Sequence, residues 1–92
     1  MAHEHEIQFG NAKRCTLDVS AGTVGLAPLP ELTLSTYPVR GLSQGELSIL
    51  VTRTAIPAIV KVEASDRNTN LRHEEIEQIR KAAEGIFRGQ VG

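Results

Sequence analysis

The side chains that could do chemistry are present but scattered. His3 and His5 stand two apart, so on an extended segment they share a face and could offer two imidazoles to a metal. His3 is also third from the initiator, where a free amine, two amides and an imidazole can chelate Cu²⁺ or Ni²⁺. That chelate needs a chain beginning at Met1, and Ala2 is small enough for Met1 to be removed. Closed metal sites want about four ligands, and no Cys or third His lies nearby. The expectation is a solvated, frayed start over residues 1–4 and no metal.

Cys15 is the single cysteine, which excludes an intrachain disulfide and fits a reducing compartment. A nucleophilic cysteine needs an adjacent base or a helix N-terminus to lower its pKa. Cys15 falls on the apolar side of an alternating run, with Arg14 and Thr16 on the other side, so it reads as core. Asp18, Ser20 and His73 are the residue types of a hydrolytic triad, but no local signature joins them. Ser20-Ala21-Gly22-Thr23-Val24-Gly25 has glycines without a Lys or a following helix, so it is a turn and not a phosphate loop. Asp66, Asn68 and Asn70 alternate as the first ligands of an EF-hand do. Leu71 stands where that loop needs Gly, and the twelfth position, Glu77, falls inside a helical pattern. This segment reads as a capping loop. No catalytic set and no cofactor follow from any of these.

The candidates for binding are Tyr37, Arg40, Arg72 and Glu75. Tyr37-Pro38-Val39-Arg40 reads as a proline-stiffened loop presenting two residue types enriched at interface hot spots. Arg72 and Glu75 project on the apolar side of a helix start, where they pair at i,i+3 or sit at the rim where the helix leaves a sheet. Lys13, Arg14, Arg40, Arg53, Lys61, Arg67 and Arg72 could line up into a basic patch. The net charge is −1 and aromatics are not interleaved with them, so a solvated outer face is expected rather than a nucleic-acid surface.

These residues must be positioned by short elements. Residues 4–9 alternate, with Ile7 and Phe9 on one face, and Gly10-Asn11 follows as a turn. Residues 12–20 alternate again, with Cys15, Leu17 and Val19 inward, and complete a hairpin. Thr23 to Leu26 suits a short third strand, which Ala27-Pro28-Leu29-Pro30 cannot continue. Residues 31–36 alternate with Leu32 and Leu34 on one side, until Tyr37 to Gly41 breaks the pattern. Over 42–54, Ser43 and Glu46 have capping-box spacing, but Leu47, Ile49 and Val51 alternate in a β-branched run, so a strand is expected. Residues 58–64 should pair with it, Ala58, Val60 and Val62 inward. A polar loop over 66–70 then leads to the clearest periodic signal, an amphipathic helix over about 70–88. Ile76, Ile79, Ala82, Ala83, Ile86 and Phe87 fall within an arc of about 140°. Thr69 or Asn70 is the expected N-cap and Gly89 the expected C-cap.

Ninety-two residues make one domain, 1–92, burying roughly 60–65% of the surface the unfolded chain exposes. Two Phe, one Tyr and no Trp leave the core to Ile, Leu, Val and Ala. The expected fold is α+β: a small, mostly antiparallel sheet of about five strands with one C-terminal helix on one face. No run of eighteen apolar residues predicts a membrane span. The polar N-terminus lacks a signal-peptide core, so the expected location is cytoplasmic. One short helix cannot cover five strands, so apolar sheet surface should be left over for a partner. The leading expectation is a non-enzymatic binding or regulatory protein that acts through a protein–protein surface, as a homodimer. The alternatives are a small enzyme or enzyme subunit with its site between chains, drawing on His73, Glu75, Asp18 and Arg72, and nucleic-acid binding through a basic sheet face.

Overall fold

The alternating runs become strands, and the strands pair nearly in chain order. In the computed structural model, which describes residues 3–25 and 32–89, six strands precede one helix. They are β1 (Glu4–Phe9), β2 (Lys13–Asp18), β3 (Thr23–Gly25), β4 (Leu32–Arg40), β5 (Glu46–Thr54), β6 (Ile59–Arg67) and α1 (His73–Gly89). Every pairing is antiparallel, in the order β1-β2-β4-β5-β6, with β3 also on β4. Leu17 faces Val39 and Thr23 faces Thr36, so β2 and β3 share one side of β4 and residues 19–22 connect them. The α+β architecture expected from the sequence is the one observed. The proline-containing stretch 27–30 lies outside the described residues.

The period-two pattern sets the faces. Ile7, Phe9, Cys15, Leu17, Val39, Leu47, Ile49, Val51 and Val62 point to one side and are buried, with Ile79, Ala83 and Phe87 of α1 packed on them. The sheet curls so that α1 touches both β6 and β1, the two outermost strands. Curling is how one short helix covers this much sheet. No helix among the described residues is long and apolar enough to cross a membrane.

Four local expectations are corrected. Tyr37 to Arg40 is not a loop; it is the second half of β4. β2 reaches only to Val39 and β3 only to Thr36, so Pro38 stands beside a break in the ladder, where a missing N–H costs least. β6 runs on to Arg67, which pairs with Glu46, so the polar loop begins two residues later than composition suggests. Ala58 belongs to the turn before β6 and is exposed. The helix starts at His73, and the Ile76 N–H donates to the Arg72 carbonyl at 3.0 Å, which makes Arg72 the N-cap. Thr69 is engaged elsewhere: its N–H and hydroxyl both donate to Asp66 Oδ1. Asn70 has φ 63°, a left-handed turn residue and not a cap.

The strand reading of 42–54 is right from Glu46 onward. The Ser43 and Glu46 spacing starts no helix, because β5 lies between β4 and β6 and its main chain is used on both sides. Before it, Gly45 has φ 68° and lies against the Asn68 backbone with no room for a Cβ. Gln44 Nε2 donates to the Asn68 carbonyl at 3.2 Å. This loop is thereby held against the segment that leads into α1.

Candidate interaction surface

The four sequence-predicted binding residues are not gathered into one site. Tyr37 is half-buried on the helix side of the sheet, its ring centroid 4.6 Å from that of Phe87. Gly22 presses on the same ring, leaving no space for a Cβ. Tyr37 is a packing residue. Arg40 lies on the opposite face, exposed, with Nη2 2.7 Å from Glu4 Oε1 and 3.7 Å from Asp18 Oδ2. It ties β4 across β2 to β1.

Arg72 and Glu75 stand together at the start of α1, joined through the backbone. Glu75 Oε1 accepts the Arg72 N–H at 3.0 Å, the return half of a capping box. Glu75 Oε2 accepts from Lys13 Nζ at 2.9 Å, and the Glu75 side chain is only 10% exposed. The Arg72 N–H and the Lys13 ammonium hold its carboxyl below the usual value of 4.5. One turn on, Gln78 Oε1 accepts the Gly10 N–H at 2.6 Å. The carboxylate and the amide therefore clamp the β1–β2 hairpin to the first turns of the helix. Lys13 separates two shallow clefts here. One, of about 270 Å³, is lined by Phe9, Arg14, Leu42, Ser43 and Leu71; the other, of about 370 Å³, by Asn11, Arg72, Glu74 and Gln78.

The remaining chemical candidates resolve into structure. Cys15 is buried, and burial pushes its thiol up to about 11. Asp18 Oδ1 accepts the Ser20 hydroxyl at 2.6 Å and the Ser20 N–H at 2.9 Å; these bonds, with Arg40 nearby, hold its carboxyl below 3.8. The pair is a turn, and His73 is not part of it. Asp66 caps Thr69. Among the described residues, no group of three His, Cys, Asp or Glu is placed to hold a metal ion.

The surface left over is the sheet face away from the helix. Register puts Leu32, Leu34 and Leu50 on it, with Thr36, Thr52, Thr54 and Ser48 between them. The three leucines are half-buried, and none belongs to the core cluster. Ile59 extends the strip at 53% exposure. The basic residues on this face are interleaved with acids: Arg14 with Glu6 at 3.5 Å, Arg40 with Glu4 and Asp18, Lys61 with Glu63 at 3.7 Å. No uninterrupted positive stripe forms among them.

Sequence reasoning missed Arg80. It lies on the helix flank next to β6, 22% exposed, bonded to Glu77 at 3.0 Å and Glu84 at 3.3 Å. Its Nη1 also donates to the Val62 carbonyl at 3.2 Å. The available signal was its wheel position, between the apolar arc and the charged face. No protein-family model, curated protein or solved structure matches the chain in comparisons with known proteins.

Proposed function

We propose that this chain is a small non-enzymatic binding protein, regulatory in role, that acts through a protein–protein surface and works as a homodimer. The observation that carries the protein–protein surface is the strip of Leu32, Leu34, Leu50 and Ile59 on the helix-free face, outside the core, with the three leucines half-buried and Ile59 exposed. Contiguous apolar surface rimmed by polar residues marks interaction sites. The titratable residues support it from the other side. Asp18, Glu75, Glu77 and Arg80, whose proton affinities depart from the ordinary, are each held by partners that build a turn, a cap or a helix flank. None faces a shared reacting position.

Sedimentation equilibrium from low to high micromolar concentration tests this. The expected mass rises from one chain toward two, and Leu50→Lys leaves the far-ultraviolet circular dichroism unchanged, since Leu50 is neither in the core cluster nor packed against it. A strictly monomeric chain at high micromolar concentration rules out the homodimer.

A further inference from the structure

The two end strands of the sheet, β1 and β6, are treated differently. At β6 the carbonyls of Val60 and Val62 accept from Arg88 at 3.4 Å and Arg80 at 3.2 Å. Their spacing of two is that of the outward row of an edge strand. Helix side chains take these two carbonyls of the row, a common way of blunting part of an exposed edge.

At β1 the outward row has no partner among the described residues. The Val19 N–H donates to the His3 carbonyl at 2.9 Å, which marks those two as a hydrogen-bonded pair. Alternation along the register then makes His5–Leu17, Ile7–Cys15 and Phe9–Lys13 the other such pairs. The main chains of Glu4, Glu6 and Gln8 must point away from β2. Gly10, next in the same series, gives its N–H to Gln78. Among the described residues, no hydrogen bond reaches the main-chain groups of Glu4, Glu6 or Gln8, and β1 is last in the strand order.

We propose that this edge is where a second copy of the chain docks: the two β1 strands pair antiparallel about a two-fold axis at Glu6, joining two sheets into one. This rests on the self-association proposed above and places its contact at the β1 edge, apart from the strip of Leu32, Leu34, Leu50 and Ile59, which stays free for another protein. Each of Glu4, Glu6 and Gln8 supplies one N–H and one C=O, and the register centred on Glu6 uses them all. It sets Glu4 against Gln8 of the second copy, an amide donor facing a carboxylate, on both sides of the axis. It sets His5 against Ile7 of the second copy on the helix side. Only Glu6 meets its own kind, and each Glu6 has Arg14 at 3.5 Å. The neighbouring registers are worse. Sliding one way puts Glu4 against Glu6 twice; sliding the other puts Glu4 against Gly10, whose N–H Gln78 already holds.

The helix agrees with this placement. Gln78 brings one flank of α1 to the β1 edge, and Gly85, two turns on, lies on that flank with open space where a Cβ would be. A glycine inside a helix costs about 1 kcal/mol relative to alanine. Here it leaves room for the helix of the second copy, which the two-fold axis brings to the same side of the joined sheet.

Glu6→Pro tests the edge, because it removes only an N–H that points away from β2. Sedimentation and circular dichroism should show a folded chain that stays monomeric where the unmodified protein is dimeric. Glu6→Gln removes the one like-charge pair and should tighten dimerisation by up to roughly five-fold. Amide hydrogen exchange on the unmodified protein gives a reading that needs no variant. Glu4, Glu6 and Gln8 should gain protection with concentration, while Ile7 and Phe9 are protected at every concentration. A dimer that persists in folded Glu6→Pro overturns the edge and leaves self-association standing; so does absence of added protection at Glu4, Glu6 and Gln8 in a dimeric sample, even if Glu6→Pro does not fold. A protein monomeric at all concentrations overturns both.

Discussion

Glu75 is the residue on which the most depends for its size. It closes the N-terminal cap of α1 through the Arg72 N–H and holds the β1–β2 hairpin through Lys13. Its folded carboxyl lies below the ordinary value of 4.5, so folding favours the ionised form. The stabilisation is complete above the unfolded value and lost as pH falls through the folded one. Denaturant unfolding at pH 7 and between pH 5 and 3 should show stability falling over the acid range, and the fall should be shallower in Glu75→Gln. An unaltered acid slope in that variant would remove Glu75 from this role. The sequence placed Glu75 on the apolar side of the helix, and spacing alone showed that. It did not show Lys13 as the partner, because the two are far apart in sequence and meet only when the hairpin folds over the helix start.

Among the elements, β4 and α1 show where local pattern reading stops. A proline within Tyr37-Pro38-Val39-Arg40 looks like a break, and the break is real, but it is in the neighbouring ladder: β2 and β3 leave residues 37–38 unpaired on that side. Whether a strand tolerates proline depends on which neighbour faces it. The helix was clearer, because its apolar arc is set by chain-local angles. Its start shifted to His73 since Asp66 draws Thr69 into the preceding turn. Arg80 joins α1 to β6, bonding Glu77 and Glu84 along the helix and the Val62 carbonyl on the strand. Arg80→Ala should cost roughly 1.5–3 kcal/mol of stability, the range for hydrogen bonds to charged groups. It should also uncover the β6 edge and raise light scattering at high concentration. Urea unfolding measures the first, and a variant as stable and as disperse as the parent would count against both.

For the whole molecule, one helix among the described residues serves a sheet with two faces and with β1 and β6 as its end strands. Curling lets α1 touch β6 and β1 together, which closes one face. It leaves Leu32, Leu34 and Leu50 on the other face and the β1 main chain on one edge. If a second copy covers that edge, folding is linked to association. The thermal midpoint should then rise with protein concentration, because mass action favours the dimer. A scanning series over a hundred-fold range of concentration checks this, and a midpoint independent of concentration would contradict it.

The sequence by itself determined the elements: period-two runs with β-branched residues can bury one face only as strands, and the arc of Ile76, Ile79, Ala83 and Phe87 can bury one face only as a helix. It also determined that Cys15 belongs to the core, since alternation assigns its side of the strand. Only the tertiary structure decided how much sheet the helix covers, that Tyr37 packs on Phe87, and that Arg80 and Arg88 bond the β6 edge while the β1 edge has no partner among the described residues. The physical reason is range. Side-chain period is a property of a few consecutive residues, whereas curl, strand order and edge protection depend on which distant segments meet.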